Sequence, residues 1–219
     1  MSIFSEITDI IFPPRCVFCS KFLKKSERSI CSVCSQRLPK TSQAAYKASG
    51  HYFEICVSPF YYTGIVRDSL HRFKFANARE NVKYYGEILA DCIRDELSGR
   101  YDIISWVPVS REHLRSRGYD QSMLLAQCTA SSLGETAVEA LLKIRNTEVQ
   151  SRITDRNERT RNVRGAYSAA APELIRDKRI LLIDDIITTG ATLSECAKTL
   201  RMAGAKSVVC AALARSSGL

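Results

Sequence analysis

Two adjacent carboxylates stand directly before a small polar turn in the segment IDDIITTGATL, residues 183–193. Asp184 and Asp185 follow an apolar run. The turn after them consists of small and hydroxyl-bearing residues, with Thr188, Thr189, Gly190, Ala191 and Thr192 at its centre. Its glycine can adopt a positive φ, so successive backbone N–H groups can converge on one point, and a helix that begins there adds positive potential. The turn therefore predicts a phosphate site.

A phosphate site alone does not explain the two aspartates, because carboxylates repel the same anion. A phosphorylated ribose accounts for both features. Its 5'-phosphate enters the turn, while Asp184 and Asp185 accept hydrogen bonds from the 2' and 3' hydroxyls, directly or through Mg2+. The alternative is an ordinary helix N-cap that follows acidic residues at a strand end. Other nucleotide motifs are absent, since no glycine of the chain is followed by lysine and no G-x-G-x-x-G occurs.

A second chemically active group is formed by Cys16, Cys19, Cys31 and Cys34, two C-x2-C pairs in one short segment. Each pair can wrap one side of a tetrahedral metal ion, with sulfur about 2.3 Å from zinc. Four sulfur ligands leave no open position, so the pattern predicts structural zinc; redox pairs or unrelated thiols are the alternative. The segment between the pairs has little apolar surface, so the metal would supply most of its folding free energy.

Positive charge dominates the chain, which has 32 Lys and Arg against 23 Asp and Glu and a net charge of +9. This balance favours polyanionic partners such as nucleic acid or a polyphosphate metabolite. Several of the cations lie in the cysteine segment: Lys21, Lys24, Lys25, Arg28 and Arg37. They are interpreted either as a nucleic-acid contact or as ordinary solvated charge.

The remaining cysteines are scattered singly among apolar or helical neighbours: Cys56, Cys92, Cys128, Cys196 and Cys210. Such a distribution predicts buried free thiols and a cytoplasmic location. No segment approaches the roughly 20 apolar residues of a membrane helix, and the first residues lack the cationic region of a secretion signal. Four apolar residues there predict one face of a short packing helix: Ile3, Phe4, Ile7 and Ile11.

Strand and helix patterns alternate through the rest of the chain. Apolar runs predict strands in residues 54–64, 101–109, 179–185 and 206–214. Helical spacing that ends at glycine predicts helices in residues 81–99, 120–134 and 192–204. Nearly continuous apolar strands between helices predict an α/β fold with a parallel sheet covered on both faces. In such a sheet ligands bind beyond the carboxyl ends of the strands, which is where Asp184, Asp185 and the turn are expected.

A linker rich in small and polar residues, PKTSQAAYKASG, spans residues 39–50. We therefore expect a zinc-ribbon-like module in residues 1–45 and the α/β domain in residues 46–219. The module comes first in the chain.

Longer motifs indicate a family. RILLIDDIITTGATLSECAKTL, residues 179–200, resembles the phosphoribosyl pyrophosphate (PRPP) signature of type I phosphoribosyltransferases. Together with the four N-terminal cysteines and three further segments, in this order, the chain resembles the ComF family over nearly its whole length. Those segments are YYTGIVRDSLHRFKF, VPVSREHLRSRGYDQSMLLA and RNERTRNVRGAY. Asp120 departs from the pattern, because the family usually has Asn there.

The resemblance implies roles for particular residues. Asp184 and Asp185 would hold the ribose hydroxyls, and residues 188–192 would hold the 5'-phosphate. The VPVSR segment would form a pyrophosphate loop through Val109, Ser110 and Arg111. The segment QSRITDRNERTRN resembles a lid over PRPP, with four arginines available to the diphosphate: Arg152, Arg156, Arg159 and Arg161. A disordered basic loop is the alternative for this segment.

Two further positions carry open interpretations. Arg72 and Lys74 alternate with aromatic residues in HRFKF and would form part of a substrate hood or a nucleic-acid surface; a solvated amphipathic strand is the alternative. His113 lies near the pyrophosphate loop and is either a base or a surface residue.

The resemblance implies PRPP with Mg2+ as ligand and a part in natural transformation, where single-stranded DNA reaches the cytosol beside a helicase-like partner. One hypothesis is a Mg2+-dependent phosphoribosyltransferase whose acceptor the sequence does not identify. The other is a nucleic-acid-binding or PRPP-sensing protein that keeps the fold without turnover.

Overall fold

The computed structural model describes residues 13–46, 52–75, 79–147 and 156–217. Its helices are α1 (Ser32–Arg37), α2 (Gly64–Phe75), α3 (Val82–Leu97), α4 (Arg111–Arg117), α5 (Gln121–Leu133), α6 (Arg156–Val163), α7 (Pro172–Ile175) and α8 (Ala191–Met202). Its strands are β1 (Ala45–Tyr46), β2 (Cys56–Val57), β3 (Phe60–Tyr61), β4 (Ile103–Trp106), β5 (Leu141–Lys143), β6 (Tyr167–Ala169), β7 (Arg179–Ile187) and β8 (Ser207–Arg215). The predicted N-terminal packing helix lies outside the described residues.

The main sheet has the strand order β1-β2-β8-β7-β4, and β3 also pairs with β8. Strands β7 and β8 are parallel and central, β4 is parallel to β7, and β2 and β3 are parallel to β8. Among the strands that the structure describes in this sheet, β1 alone runs antiparallel, at one edge. Strands β5 and β6 form a separate antiparallel pair. The predicted α/β class with a parallel sheet is confirmed.

Both faces of the sheet are covered, as the apolar runs predicted. Leu181 and Ile183 of β7 pack into one hydrophobic cluster with residues of α3 and α5. Ile180 and Leu182 pack into a second cluster with residues of α8. All four side chains are fully buried, and burying one such side chain contributes about 1.5–3 kcal/mol. The sheet is therefore a rigid platform for the loops at its carboxyl edge.

The predicted helices lie close to their expected bounds. Helix α5 ends at Gly134, which has φ 76°, and α3 ends two residues before Gly99. Helices α3 and α5 approach so closely that a Cβ on Gly86 would lie 2.7 Å from the Cβ of Cys128. The absence of a side chain at Gly86 therefore permits this packing.

Three predictions of strand bounds were wrong. Strand β4 covers only Ile103–Trp106 of the predicted residues 101–109. Residues 54–64 form two short strands, β2 and β3, because Pro59 between them has no N–H to donate to a ladder, and Gly64 already begins α2. Since α2 also includes HRFKF, the amphipathic-strand interpretation of that segment is wrong. Strand β7 extends to Ile187, so Asp184 and Asp185 lie inside the strand and not beyond it.

The four-cysteine segment packs on the body of the protein. Phe18 is fully buried and meets Phe60 edge-on, with ring centroids 6.0 Å apart. Its neighbours Cys16, Val17 and Cys34 belong to the same hydrophobic cluster as α3 and α5. The single cysteines carry free thiols as predicted, all buried except the half-buried Cys128. Within the described ranges no helix combines the length and apolarity needed to cross a bilayer.

Candidate functional site

The acid pair lies near the carboxyl end of β7. Asp184 Oδ1 accepts a hydrogen bond from Ser122 Oγ at 2.9 Å and another from the backbone N–H of Asp185 at 2.9 Å. Desolvation, and then the negative charge of Asp185, raise the pKa of Asp184 to about 7. The ionised form of a buried carboxyl group with a raised pKa is stabilised by any cation or hydrogen-bond donor that a ligand brings.

Asp185 has a cationic partner. The ammonium group of Lys74, near the end of α2, lies 2.8 Å from Asp185 Oδ2. Asp185 is only 6% exposed, so this ion pair is largely shielded from water. Lys74, which the sequence assigned to a hood or nucleic-acid surface, therefore meets the acid pair directly. One of the two acids is neutralised within the protein and the other is not.

The turn after β7 has the conformation that its composition predicted. Gly190 adopts φ 77° and precedes the first residue of α8, while the Ala191 N–H donates to Thr189 Oγ1 at 3.4 Å. Asp184 and residues 186–193 line a small hollow of about 20 Å3. N–H groups in the first turn of a helix have no partner within the helix, so the start of α8 can donate hydrogen bonds to an anion.

The loop after β4 faces the same edge of the sheet. Its Val109 N–H donates to Asp120 Oδ2 at 2.9 Å. The other oxygen of Asp120 accepts from the Met123 N–H at 3.0 Å and thereby caps α5. Asp120 thus fixes the loop and the start of a helix together, which gives its departure from the usual Asn a structural role.

A cavity of about 360 Å3 joins these parts. Of the predicted site residues it brings together Asp184, Asp185, Thr188, Thr192, Val109 and Lys74. Thr189, Gly190 and Ala191 line the adjoining hollow, which shares Asp184 and two threonines with the cavity. The acid pair and the glycine turn therefore open into one space.

Sequence reasoning missed several residues of this cavity. Lys143, in β5, has a pKa lowered by desolvation, and its ammonium lies 5.5 Å from the ring centroid of Tyr167. Gln121 is 1% exposed, accepts from Arg117 at 3.0 Å, and has no hydrogen-bond partner for its Nε2. A buried amide donor without a partner is costly unless a ligand or water accepts from it. The sequence contained one signal for Lys143, because a residue two positions after the buried Leu141 in a strand lies on the same face.

His113 also lines the cavity, where it is half-buried and not on the open surface. Burial, and then the positive charge of Arg117, lower its pKa. A neutral imidazole in this position can accept a proton or a hydrogen bond.

Other predicted residues lie elsewhere. Ser110 is buried and caps α4 by accepting from the His113 N–H, and Arg111 is an exposed first residue of that helix. Arg72 donates to the cysteine segment. Arg159 lies in α6 and does not line the cavity, and the backbone of Arg156 lies in the same helix. Residues 150–155 of the predicted lid, Arg152 among them, are outside the described residues.

The four cysteines converge as predicted. Their sulfur atoms lie within 4.8 Å of one another, and Cys19 Sγ lies 3.8 Å from Cys31 Sγ. Sulfurs about 2.3 Å from a tetrahedral zinc ion are about 3.8 Å apart, so the cluster fits this metal. Burial alone would raise the pKa of Cys16, but backbone N–H donors, led by that of Cys31, hold it at about 7. Such a thiol readily gives up its proton to a metal.

Comparison with known proteins agrees with this geometry. The phosphoribosyl transferase domain family matches residues 121–218, and the double zinc ribbon domain family matches residues 7–55. Residues 7–55 contain four cysteines, which suffice for one zinc ion. The chain thus has a type I phosphoribosyltransferase fold with an N-terminal zinc ribbon.

Several known proteins are similar to this chain, two of them over most of its length. DNA utilization protein YhgH of Salmonella typhi is 30% identical, across 90% of this chain and 94% of that protein. Competence protein F of Haemophilus influenzae is 26% identical, across 92% of this chain and 97% of that protein. A solved structure of glutamine PRPP amidotransferase from B. subtilis with ADP and GMP is 25% identical, across 61% of this chain and 26% of that one, with a TM-score of 0.42.

Proposed function

This chain belongs to the ComF family, and we propose that it binds PRPP through its phosphoribosyltransferase-like domain and takes part in handling incoming single-stranded DNA. The observation that carries the PRPP proposal is that Asp184, Asp185 and the turn at residues 188–192 open into one cavity. Acids and an anion-binding turn in the same space match a ligand with hydroxyls at one position and phosphate at another.

In this proposal the turn holds the 5'-phosphate, and Asp184 and Asp185 accept hydrogen bonds from the ribose hydroxyls. The loop of Val109, Ser110 and Arg111 is proposed to meet the pyrophosphate, with Val109 already lining the cavity. Lys143 and Arg117 line the cavity and supply positive charge there. Arg156 and Arg159, which belong to the predicted lid segment, would approach the diphosphate only when that segment closes.

Mg2+ is proposed to accompany PRPP. Asp184 suits it, because carboxylate oxygens are preferred magnesium ligands and the burial of Asp184 favours a cationic partner. A bound magnesium ion would neutralise charge on the pyrophosphate leaving group. The protein's own contribution is to hold the sugar, to place Lys143 beside the developing charge, and to exclude water from the cavity.

If turnover occurs, the bond from C1' to pyrophosphate breaks and a bond to an acceptor nucleophile forms. His113 lines the same cavity, and its lowered pKa suits a base. The second candidate function is binding without turnover, in a nucleic-acid-handling or PRPP-sensing protein. The net charge of +9 and the basic residues of the cysteine segment favour a nucleic-acid partner.

Further parts of the proposal concern organisation and setting. Residues 1–45 would form the zinc module and residues 46–219 the phosphoribosyltransferase-like domain. The protein would work in the cytoplasm beside a helicase-like competence partner. Reduced cysteines and the names of the related competence proteins support this setting.

Calorimetry with PRPP, in the presence and absence of Mg2+, tests the ligand. We expect one binding site per chain and tighter binding with the metal; no heat of binding in either condition would refute the proposal. Turnover is tested by pyrophosphate release with added bases, nucleosides or DNA, and release that depends on one of them would identify the acceptor. Affinity for single-stranded DNA should fall steeply with salt, because phosphate contacts release counterions.

A further inference from the structure

Helix α2 touches both the cysteine cluster and the acid pair. Ser69, near its middle, and Arg72, in its last turn, donate hydrogen bonds to backbone carbonyls of the cysteine segment. Two residues after Arg72, Lys74 pairs with Asp185 in the cavity. A helix is stiff over so short a distance, so the two contacts are mechanically connected.

The first contact is made to the metal-binding turn itself. Arg72 NH2 donates to the carbonyl oxygen of Phe18 at 2.6 Å and to that of Val17 at 3.4 Å. Ser69 Oγ also donates to the carbonyl of Val17. Val17 and Phe18 lie between the predicted ligands Cys16 and Cys19, so a metal ion that holds the four sulfurs together would also fix the positions of these carbonyls.

Packing makes the connection tight. Phe73, between Arg72 and Lys74, is fully buried and stands 5.6 Å from the ring of Tyr85. Its backbone carbonyl accepts from the hydroxyl of Tyr119. The last turn of α2 is thus held by the metal-binding turn on one side and by the core on the other, with little freedom to move independently.

We infer that Arg72 is a positioning residue, which transmits the conformation of the zinc-binding turn through α2 to Lys74 and thereby sets the geometry of Asp185 in the phosphoribosyl site. Without its anchor, the end of α2 shifts, the Lys74–Asp185 pair loosens, and a poorly shielded carboxylate remains beside an anionic ligand. The zinc module then influences the ligand site, although none of its described residues lines the cavity. This inference rests on the proposed PRPP function where affinity is the readout.

The test compares Arg72→Ala with Arg67→Ala, which removes an exposed arginine from the same helix. Zinc content is measured by mass spectrometry and affinity for Mg2+·PRPP by calorimetry. Arg72→Ala should keep one zinc per chain and weaken binding about tenfold, the effect of losing a charge-assisted hydrogen bond. Arg67→Ala should change neither quantity, and Arg72→Lys should recover most of the affinity because an ammonium can still reach one carbonyl.

A double-mutant cycle separates transmission from general damage. In a Lys74→Met background, Arg72→Ala should cause no further loss of affinity, since the residue that it positions is absent. An equal loss in both backgrounds, or unchanged affinity in Arg72→Ala with zinc retained, would overturn the inference.

A readout without PRPP keeps this inference separate from the proposed function. Acetylation of Lys74 by an amine reagent, quantified by peptide mass spectrometry, should be faster in Arg72→Ala than in Arg67→Ala or the wild type. Faster labelling in a protein that binds no PRPP would support the connection and refute the PRPP proposal. Unchanged labelling would refute the connection even if PRPP binds.

Discussion

Two acid–base pairs stand at opposite ends of the same pair of strands. At the amino end, Asp102 directly precedes β4 and Arg179 begins β7, and the guanidinium contacts both carboxylate oxygens. Hydrogen bonds from the Arg179 side chain, and then from its backbone N–H, lower the pKa of Asp102 to about 2. At the carboxyl end, Lys74 pairs with Asp185 beside a second acid, Asp184.

The two pairs differ in whether each carboxylate has its own cation. The Asp102–Arg179 pair has one cation for one acid, makes several hydrogen bonds within the protein and is about one-third exposed. The buried end has two acids and one paired cation, and the pKa of Asp184 is raised to about 7. The exposed pair, in which one arginine neutralises one aspartate, joins two strands. The buried group, in which one lysine faces two aspartates, leaves a carboxyl group for a ligand.

The largest effect is expected from Asp184→Asn combined with Asp185→Asn. Affinity for Mg2+·PRPP should fall about 100-fold or more, because two charge-assisted hydrogen bonds of about 1.5–3 kcal/mol each are lost. Calorimetry measures this loss, and Asp102→Asn is the matched control at the other end of the strands. Equal affinities of the wild type, the variant with both Asp184→Asn and Asp185→Asn, and Asp102→Asn would mean that the acids at the two ends of the strands do not differ in ligand binding.

Removal of Lys74 tests through protein stability whether its ion pair with Asp185 is buried. Lys74→Met leaves Asp185 buried without its cation, so the free energy of unfolding should fall by about 3 kcal/mol. Adding Asp185→Asn should restore most of this loss, since the buried charge that Lys74 neutralised is then absent. Urea denaturation measures both changes, and an unchanged midpoint in Lys74→Met would mean that the pair is not shielded from water.

Asp184 and Asp102, at the two ends of the strands, should make the stability of the protein depend on pH in opposite directions. Asp184 has a raised pKa, so the folded state holds its proton more tightly than the unfolded state, and stability should fall as pH rises from about 4 to about 7. Asp102 has a lowered pKa, so its contribution should disappear as pH falls from about 4 to about 2. Denaturation of Asp184→Asn and Asp102→Asn across pH isolates each slope; a variant that keeps the wild-type slope contradicts the assignment.

The smallest effect is expected from Arg179→Met. Exposed ion pairs contribute little, so unfolding at neutral pH should change only slightly and PRPP affinity should not change. The measurement is the same denaturation and calorimetry, with Lys74→Met as the contrasting variant. A loss of affinity comparable to that of Lys74→Met would show that the amino end also shapes the site.

Much of this arrangement could be predicted from local pattern. The apolar run before Asp184 predicts a buried parallel strand, and the composition around Gly190 predicts the turn, because both depend on neighbouring residues in the chain. The spacing of Cys16, Cys19, Cys31 and Cys34 likewise predicts their convergence. Each of these features depends on a few residues that are close together in the sequence.

Contacts between distant segments could not be predicted in this way. The pairing of Lys74 with Asp185 joins residues more than one hundred positions apart, and HRFKF alone gives no sign of which face of α2 meets the sheet. Lys143 enters the cavity because β5 pairs with β6, a register that the sequence did not indicate. The contact of Arg72 with the zinc-binding turn depends in the same way on how the module packs.

Ribose 5-phosphate and 2-deoxyribose 5-phosphate test most directly whether the turn and the acids hold two ends of one sugar. Each is titrated by calorimetry into the wild type and into the variant with both Asp184→Asn and Asp185→Asn. The account predicts that ribose 5-phosphate competes with PRPP and binds the wild type about tenfold more tightly than the deoxy sugar, which lacks one hydroxyl, with this preference lost in the variant. Equal affinity of the wild type for both sugars would contradict it.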